Sequence, residues 1–297
     1  MKIQSVGNSV YVKGVTSLDL DQTLDCGQAF RWEKQTDGSY TGVAMGRVIN
    51  ACMQDDVLVL HNCSEADFYA VWKQYFDLDR SYELIKQTLS ADPVLSNAIK
   101  YGEGIRLLNQ DTWECIVSFI ISASNNIPRI KKIINLLCQH FGSKLEYNGK
   151  VYHAFPSAQD IAKLSLNDLS VIRAGFRDKY ILEAAKSVSS GETDINLLKT
   201  LDVLEAKKRL MRIHGVGDKV ASCVLLFGLG KHECFPIDVW IKRITEHLYF
   251  EGEQSVQTIA DFAQDRFGDL GGYAQQYLFY YARENKLGIP AQEKKRA

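Results

Sequence analysis

The chain has 297 residues, 46% hydrophobic and 24% charged, with a formal net charge of −1. This is globular composition with apolar material for one large or two modest domains. It excludes an overall basic field, so any site for a polyanion must be a local patch.

The seven cysteines are an odd number without paired spacing, which argues against a disulfide framework and for a reducing compartment. No CxxC occurs, so neither a structural metal nor an iron–sulfur cluster is expected, and the reading calls for no cofactor. The opening "MKIQSVGNSVYVKG" lacks the apolar core of a signal peptide. No apolar run reaches the roughly 18 residues of a membrane span. The expectation is a soluble cytoplasmic monomer with no membrane partner.

In chain order, "NSVYVKG" and "QAFRWEKQTDGSYTGVAMGRVINACMQDDVLVLHNC" are short β-rich stretches broken by "TDGS" and "QDD". The Asp-Gly between "FRWEKQ" and "SYTGV" signals a hairpin, so a small antiparallel sheet is predicted. "SEADFYAVWKQYF" reads as a helix capped by Ser64. From about residue 80 the texture is helical almost throughout. "TWECIVSFIISASNN" is apolar on most faces and should be a buried helix. "IPRIKKIINLLCQHFG" carries Ile130, Ile133, Ile134 and Leu137 at helical spacing and ends at Gly142. "SAQDIAKL", "SLNDLSVI" and "DKYILEAAKSVSSG" follow as short helices.

In "LEAKKRLMRIHGVGDKVASCVLLFG", Ala206, Leu210 and Ile213 recur on one face, as do Val220, Val224 and Phe227. Two helices therefore flank a tight turn of His214, Gly215, Val216 and Gly217. Gly215 and Gly217 both allow positive φ and close backbone approach. The free amides at the start of the second helix, with its dipole, form a seat for a phosphate. Helix, "GVGDK", apolar helix is the helix–hairpin–helix pattern, which grips one DNA strand through backbone amides. That reconciles DNA binding with a net charge near zero.

Lys219 stands where the helix dipole and apolar neighbours both disfavour positive charge. One reading is a solvated lysine that tolerates the penalty; the other is a neutral amine acting as nucleophile. Asp238, in "CFPIDVWIKRI", sits at a natural N-cap position. It is either a cap alone or also a carboxylate held near Lys219 to stabilise a cationic transition state.

Taken together, "GVGDKVASC", "PIDVW", "DCGQAFRW" and "RLLNQDTWECIVSFIISASNN", in that order, resemble the 8-oxoguanine DNA glycosylase/AP lyase family of the helix–hairpin–helix glycosylase superfamily. The resemblance covers nearly the whole chain. The texture of the chain and the resemblance together give an α+β fold, an N-terminal antiparallel β-sheet module over 1–100 packed on a mostly α-helical body over 101–290, and the end of the chain over 291–297 reads as a frayed tail. The resemblance implies a bifunctional enzyme acting on double-stranded DNA that contains oxidised guanine, nucleoid-associated in a prokaryote or nuclear in a eukaryote.

Residue by residue, the resemblance implies that Lys219 attacks the sugar C1′ of a flipped nucleotide and that Asp238 stabilises the positive charge developing there. Gly27 matches the position whose carbonyl accepts from the N7–H of the oxidised base; without the match it would be a turn glycine. "GGYAQQYLFYYARE" reads as a helix with Gln275 and Phe279 on one face. They match an amide bonding the base edge and a ring stacking on its plane, and Cys223 matches the residue on the other face. By spacing alone, Phe279 and Cys223 would be core. Arg129 and Arg177 match readers of the estranged cytosine, and Phe176 matches a wedge in the stack.

Two positions depart from the family pattern. Ser124 replaces the first residue of an asparagine triplet and fills less of the vacated space. Trp240 stands where vertebrate members have histidine, on the phosphate side. Two other functions fit parts of the chain. A monofunctional alkylated-base glycosylase would lack the lysine, and a non-catalytic DNA-binding module would use the hairpin alone.

Overall fold

The computed structural model describes residues 1–287; the predicted tail over 291–297 lies outside them. The N-terminal module is a six-stranded antiparallel sheet: β1 (Lys2–Val6), β2 (Ser9–Lys13), β3 (Trp32–Lys34), β4 (Tyr40–Ala44), β5 (Arg47–Gln54) and β6 (Val57–His61), ordered β1-β2-β6-β5-β4-β3. The Asp-Gly signal lies in the β3–β4 hairpin, where the Gln35 N–H donates to the Ser39 carbonyl at 2.7 Å. Alternation sends Val10, Val12, Ile49, Ala51, Leu58 and Leu60 to one face, where they form a core with Trp32, Phe68, Trp72 and Phe76.

The segment after Ser64 is helical, and the Ser64 hydroxyl accepts from the Asp67 N–H at 3.0 Å. Its middle, Phe68–Trp72, widens into a π-helical turn that buries Phe68 and Trp72 fully. The next two helices, Tyr82–Leu89 and Pro93–Tyr101, precede residue 101 in sequence but pack into the core of the helical body. Pro93–Tyr101 packs along the last described helix, Gly271–Glu284, and Tyr82–Leu89 packs against Pro93–Tyr101 and sets Tyr82 edge-on to Tyr273.

The body's central helix, Thr112–Ser122, is buried on nearly every face, as its composition predicts. Ile127–Phe141 follows, with Asn126 as its cap and Ile130, Ile133, Ile134 and Leu137 buried. One element runs against the helical reading. Lys144–Tyr147 and Lys150–His153 form a β-hairpin, with Asn148 and Gly149 at φ 48° and 71°. Asn-Gly favours that turn, and the pairing overrides the helical surroundings.

The hairpin helices are Val203–Leu210 and Asp218–Leu229, and Ala206, Leu210, Ile213, Val220, Val224 and Phe227 are all buried. Asp218–Leu229 packs along Thr112–Ser122 as the body's central pair. No helix among the described residues is long and apolar enough to cross a membrane.

Candidate active site

Gly27 follows a short helix, Leu20–Leu24, in a loop that reaches from the sheet module into the body. Its φ is +84°, a conformation glycine takes readily. The adjacent Gln28, 1% exposed, holds the loop in place. Its Nε2 donates to the carbonyls of Thr23 and Arg106, both at 2.8 Å, and its Oε1 accepts from the Leu108 N–H at 2.9 Å. Gln110 donates to the Gln28 carbonyl at 2.7 Å. The backbone at Gly27 is thus fixed by an amide satisfied on both sides.

Phe30, Arg31 and Trp32 divide between the modules. Phe30 packs edge-on against Phe119, with ring centroids 5.8 Å apart. Arg31 forms an ion pair with Glu114 at 3.7 Å and donates to the His153 carbonyl. Trp32 turns back to the sheet core and donates to the Tyr75 hydroxyl at 2.9 Å. Burial pushes the Glu114 carboxyl up to about 7, and Arg31 opposes that shift only in part.

Beside this loop lies a cavity of about 220 Å³ that gathers Gly27, Lys219, Cys223, Asp238, Gln275 and Phe279 from four separate segments. A larger hollow of about 810 Å³, over the N-terminal sheet, contains none of the residues singled out from sequence. Lys219 lies in the first turn of Asp218–Leu229, whose N-cap, Gly217, offers no side chain to the free amides. Its Nζ donates to the Ser122 hydroxyl at 3.2 Å and stands 5.1 Å from the centre of the Phe119 ring. Ser122 in turn donates to the Phe119 carbonyl at 2.8 Å, so its oxygen is left to accept from the lysine.

Asp238 caps Val239–Tyr249: its carboxylate accepts from the Ile241 N–H at 2.7 Å while the residue faces the cavity. The cap reading and the cavity reading of Asp238 therefore coexist. Lys219 and Asp238 form no ion pair among the described residues, and the amine rests on Ser122 instead. Cys223, one turn beyond Lys219, is buried; burial pushes its thiol up against the pull of Lys219. Phe279 approaches Gly27 so closely that a Cβ there would meet its ring at 3.3 Å. Gln275 is 7% exposed, and its Oε1 has no hydrogen-bond partner.

Ser124, Arg129, Phe176 and Arg177 lie outside this cavity. Ser124 is an exposed residue with φ +49°, at the bend between the two helices. Arg177 is 3% exposed. Its Nε and Nη2 donate to the Ala123 carbonyl, Nη2 also to Ser124 at 3.2 Å, and Nη1 to Ala174 at 3.2 Å. Its guanidinium covers the ring of Phe176 at 4.3 Å, and Phe176 is 61% exposed. Arg129 is exposed, in the first turn of its helix.

At the hairpin, Gly215 has φ +90°, and the Tyr180 ring stands 2.5 Å from where its Cβ would be. Gly217 departs from the expectation of positive φ. It lies at −88° in open space, an ordinary extended N-cap. The turn needs one left-handed residue, and Gly215 supplies it. Val216 is buried and anchors the turn, and exposed His214 donates to Glu183 and lies edge-on to Tyr180. Trp240, in the first turn of Val239–Tyr249, packs half-buried against the body.

Residues 117–267 match the HhH-GPD superfamily of base excision DNA repair proteins, and the chain belongs to that superfamily. Residues 10–116 match the N-terminal domain of 8-oxoguanine DNA glycosylase, which sets the branch within it. A solved complex of MBOgg1 with a low-affinity DNA ligand is 49% identical at a TM-score of 0.95, covering 96% of this chain and 99% of its own. An 8-oxoguanine glycosylase/lyase of Clostridium acetobutylicum, solved on duplex DNA with cytosine opposite 8-oxoguanine, is 42% identical at a TM-score of 0.95. It covers 97% of this chain and 99% of its own. The N-glycosylase/DNA lyase of Saccharomyces cerevisiae is 29% identical over 259 residues, 79% of this chain and 69% of its own.

Proposed function

We propose that the protein excises 8-oxoguanine from duplex DNA and then cleaves the strand at the resulting abasic site. The observation that carries this reading is the meeting of Lys219 and Asp238 in one cavity with Gly27, Cys223, Gln275 and Phe279. An amine, a carboxylate, a backbone carbonyl and two apolar walls are the groups that excision of a flipped purine requires.

In this reading the Lys219 Nζ–C1′ bond forms as the C1′–N9 bond breaks, and the electron pair leaves with the base. Asp238 stabilises the positive charge on the sugar as it develops. Opening of the sugar ring gives a protonated imine, and loss of a C2′ proton then expels the 3′ phosphate. Ser122 accepts an N–H of Lys219 and directs its own proton to the Phe119 carbonyl, so its hydroxyl holds the nitrogen in the cavity without donating to it.

The Gly27 carbonyl accepts from N7–H, a donor that intact guanine lacks. Cys223 and Phe279 enclose the ring, and Gln275 accepts from its edge. The amides of Gly215, Val216 and Gly217 hold a backbone phosphate, with His214 and Trp240 beside them. On the opposite strand, Phe176 wedges into the stack, Arg129 and Arg177 meet the estranged cytosine, and Ser124 faces the gap. Arg177 must exchange carbonyls of its own loop for the cytosine edge.

The lysine in the cavity disfavours a monofunctional glycosylase, and the enclosed pocket disfavours a module that binds DNA through the hairpin alone. The test is incubation with duplexes carrying 8-oxoguanine opposite each of the four bases, with borohydride present. A covalent protein–DNA adduct is expected, and Lys219→Gln abolishes it. An adduct that persists in the variant means another amine attacks; intact duplexes throughout mean the activity is absent.

A further inference from the structure

Gln276 follows Gln275 on the Gly271–Glu284 helix and lines the same cavity. It is 3% exposed, and its Oε1 has no hydrogen-bond partner, the same condition as Oε1 of Gln275. Buried acceptors left bare are costly, and two neighbouring ones on one cavity wall call for a ligand with two donors.

The orientation of the Gln276 amide follows from its neighbour. The Cys26 S–H donates to the Thr23 carbonyl at 3.3 Å. With its proton committed, the sulfur can only accept from Gln276, whose Nε2 stands 4.0 Å away. That leaves Oε1 of Gln276 for the cavity.

We propose that Gln276 is a second specificity residue for the base, its Oε1 and that of Gln275 accepting the adjacent N1–H and N2–H donors of the guanine edge. The inference rests on the glycosylase reading above. It supplies a discrimination that Gly27 cannot. Oxidation at C8 gives adenine an N7–H as well, so the Gly27 carbonyl separates oxidised from intact purines but not guanine from adenine. At the other edge, adenine offers a lone pair at N1 and only a C–H at position 2. Two fixed acceptors meet no donor there, and sites built on such bonds reject the analogue that lacks them.

The experiment measures single-turnover excision of 8-oxoguanine, 8-oxohypoxanthine (no N2 amino group) and 8-oxoadenine by the wild-type chain, Gln276→Met and Gln276→Ala. The expected result is a loss of about tenfold or more on 8-oxoguanine in both variants, with 8-oxoadenine changed far less, so that selectivity collapses. Equal losses on both bases would assign Gln276 a packing role and overturn the proposal, as would an unchanged ratio. Should the variants not fold, the wild-type series decides. A stepwise loss of about tenfold for each donor removed supports two acceptors, and indifference to the N2 amino group overturns them. A wild-type chain inert on every 8-oxoguanine duplex overturns the glycosylase reading, and the inference with it.

Discussion

The cavity and the Ser124 bend beside it treat their polar atoms in opposite ways. In the cavity, the Oε1 atoms of Gln275 and Gln276 are buried and bare, and the Lys219 amine donates to a serine hydroxyl and lies over an aromatic face. At the bend, the Arg177 guanidinium is buried and bonded to the carbonyls of Ala123, Ser124 and Ala174. The cavity is preorganised: the free energy of leaving polar groups unmet is borne before the ligand arrives and regained on binding. The bend is self-satisfied, so reading the opposite strand there requires existing bonds to break. Recognition of the damaged base should therefore be rigid, and recognition of its partner conditional.

The largest effect that could break this contrast lies in the cavity. Asp238→Asn keeps a good N-cap, so the melting temperature should hold, while excision falls by roughly 100- to 1000-fold as the charge is lost. A drop in stability with unchanged excision would reduce Asp238 to a cap. Next comes the bend. Arg177→Ala is expected to lower unfolding stability by about 3 kcal/mol in denaturant titrations, because buried carbonyls lose a charged donor. The same variant should lose excision opposite cytosine more than opposite the other bases. Lost stability with an unchanged opposite-base preference would make Arg177 a strut and not a reader.

The smallest effect concerns the seam under the cavity, where Arg31, next to the Gly27–Phe30 wall, meets Glu114. The folded chain holds the Glu114 proton up to about pH 7, against an ordinary value of 4.5. The folded state therefore binds more protons than the unfolded chain between those values, and stability falls as pH rises through that window. The contribution is fully present below the unfolded value and lost above the folded one. Glu114→Gln should flatten that slope in unfolding titrations at pH 5 and pH 8. An unchanged slope would mean that Arg31 already keeps the carboxylate charged.

Much of this was legible in the sequence because it rests on local pattern. β-rich stretches and the Asp-Gly turn marked the sheet, and periodicity marked the two helices around the glycine turn. Lys219 and Asp238 stood out through helix-end electrostatics and capping. Convergence of Gly27, Cys223, Gln275 and Phe279 came from family resemblance alone, since spacing equally allowed core positions. The Asn-Gly turn at 148–149 carried a hairpin signal that the helical surroundings obscured. Ser122 and Gln276 were not legible because their roles depend on contacts made across the fold, Ser122 with Lys219 and Gln276 with Cys26. The packing of the Tyr82–Leu89 and Pro93–Tyr101 helices onto the body was hidden for the same reason: an apolar face does not name its partner.

The central claim is that the Lys219 nitrogen forms the bond to the sugar. Proteolysis of the borohydride-reduced adduct, followed by mass spectrometry of the cross-linked peptide, tests it most directly. The account predicts a deoxyribose-derived mass on Lys219 and on no other residue; the same mass on a different amine, or no cross-linked peptide from a duplex that has been nicked, would contradict it.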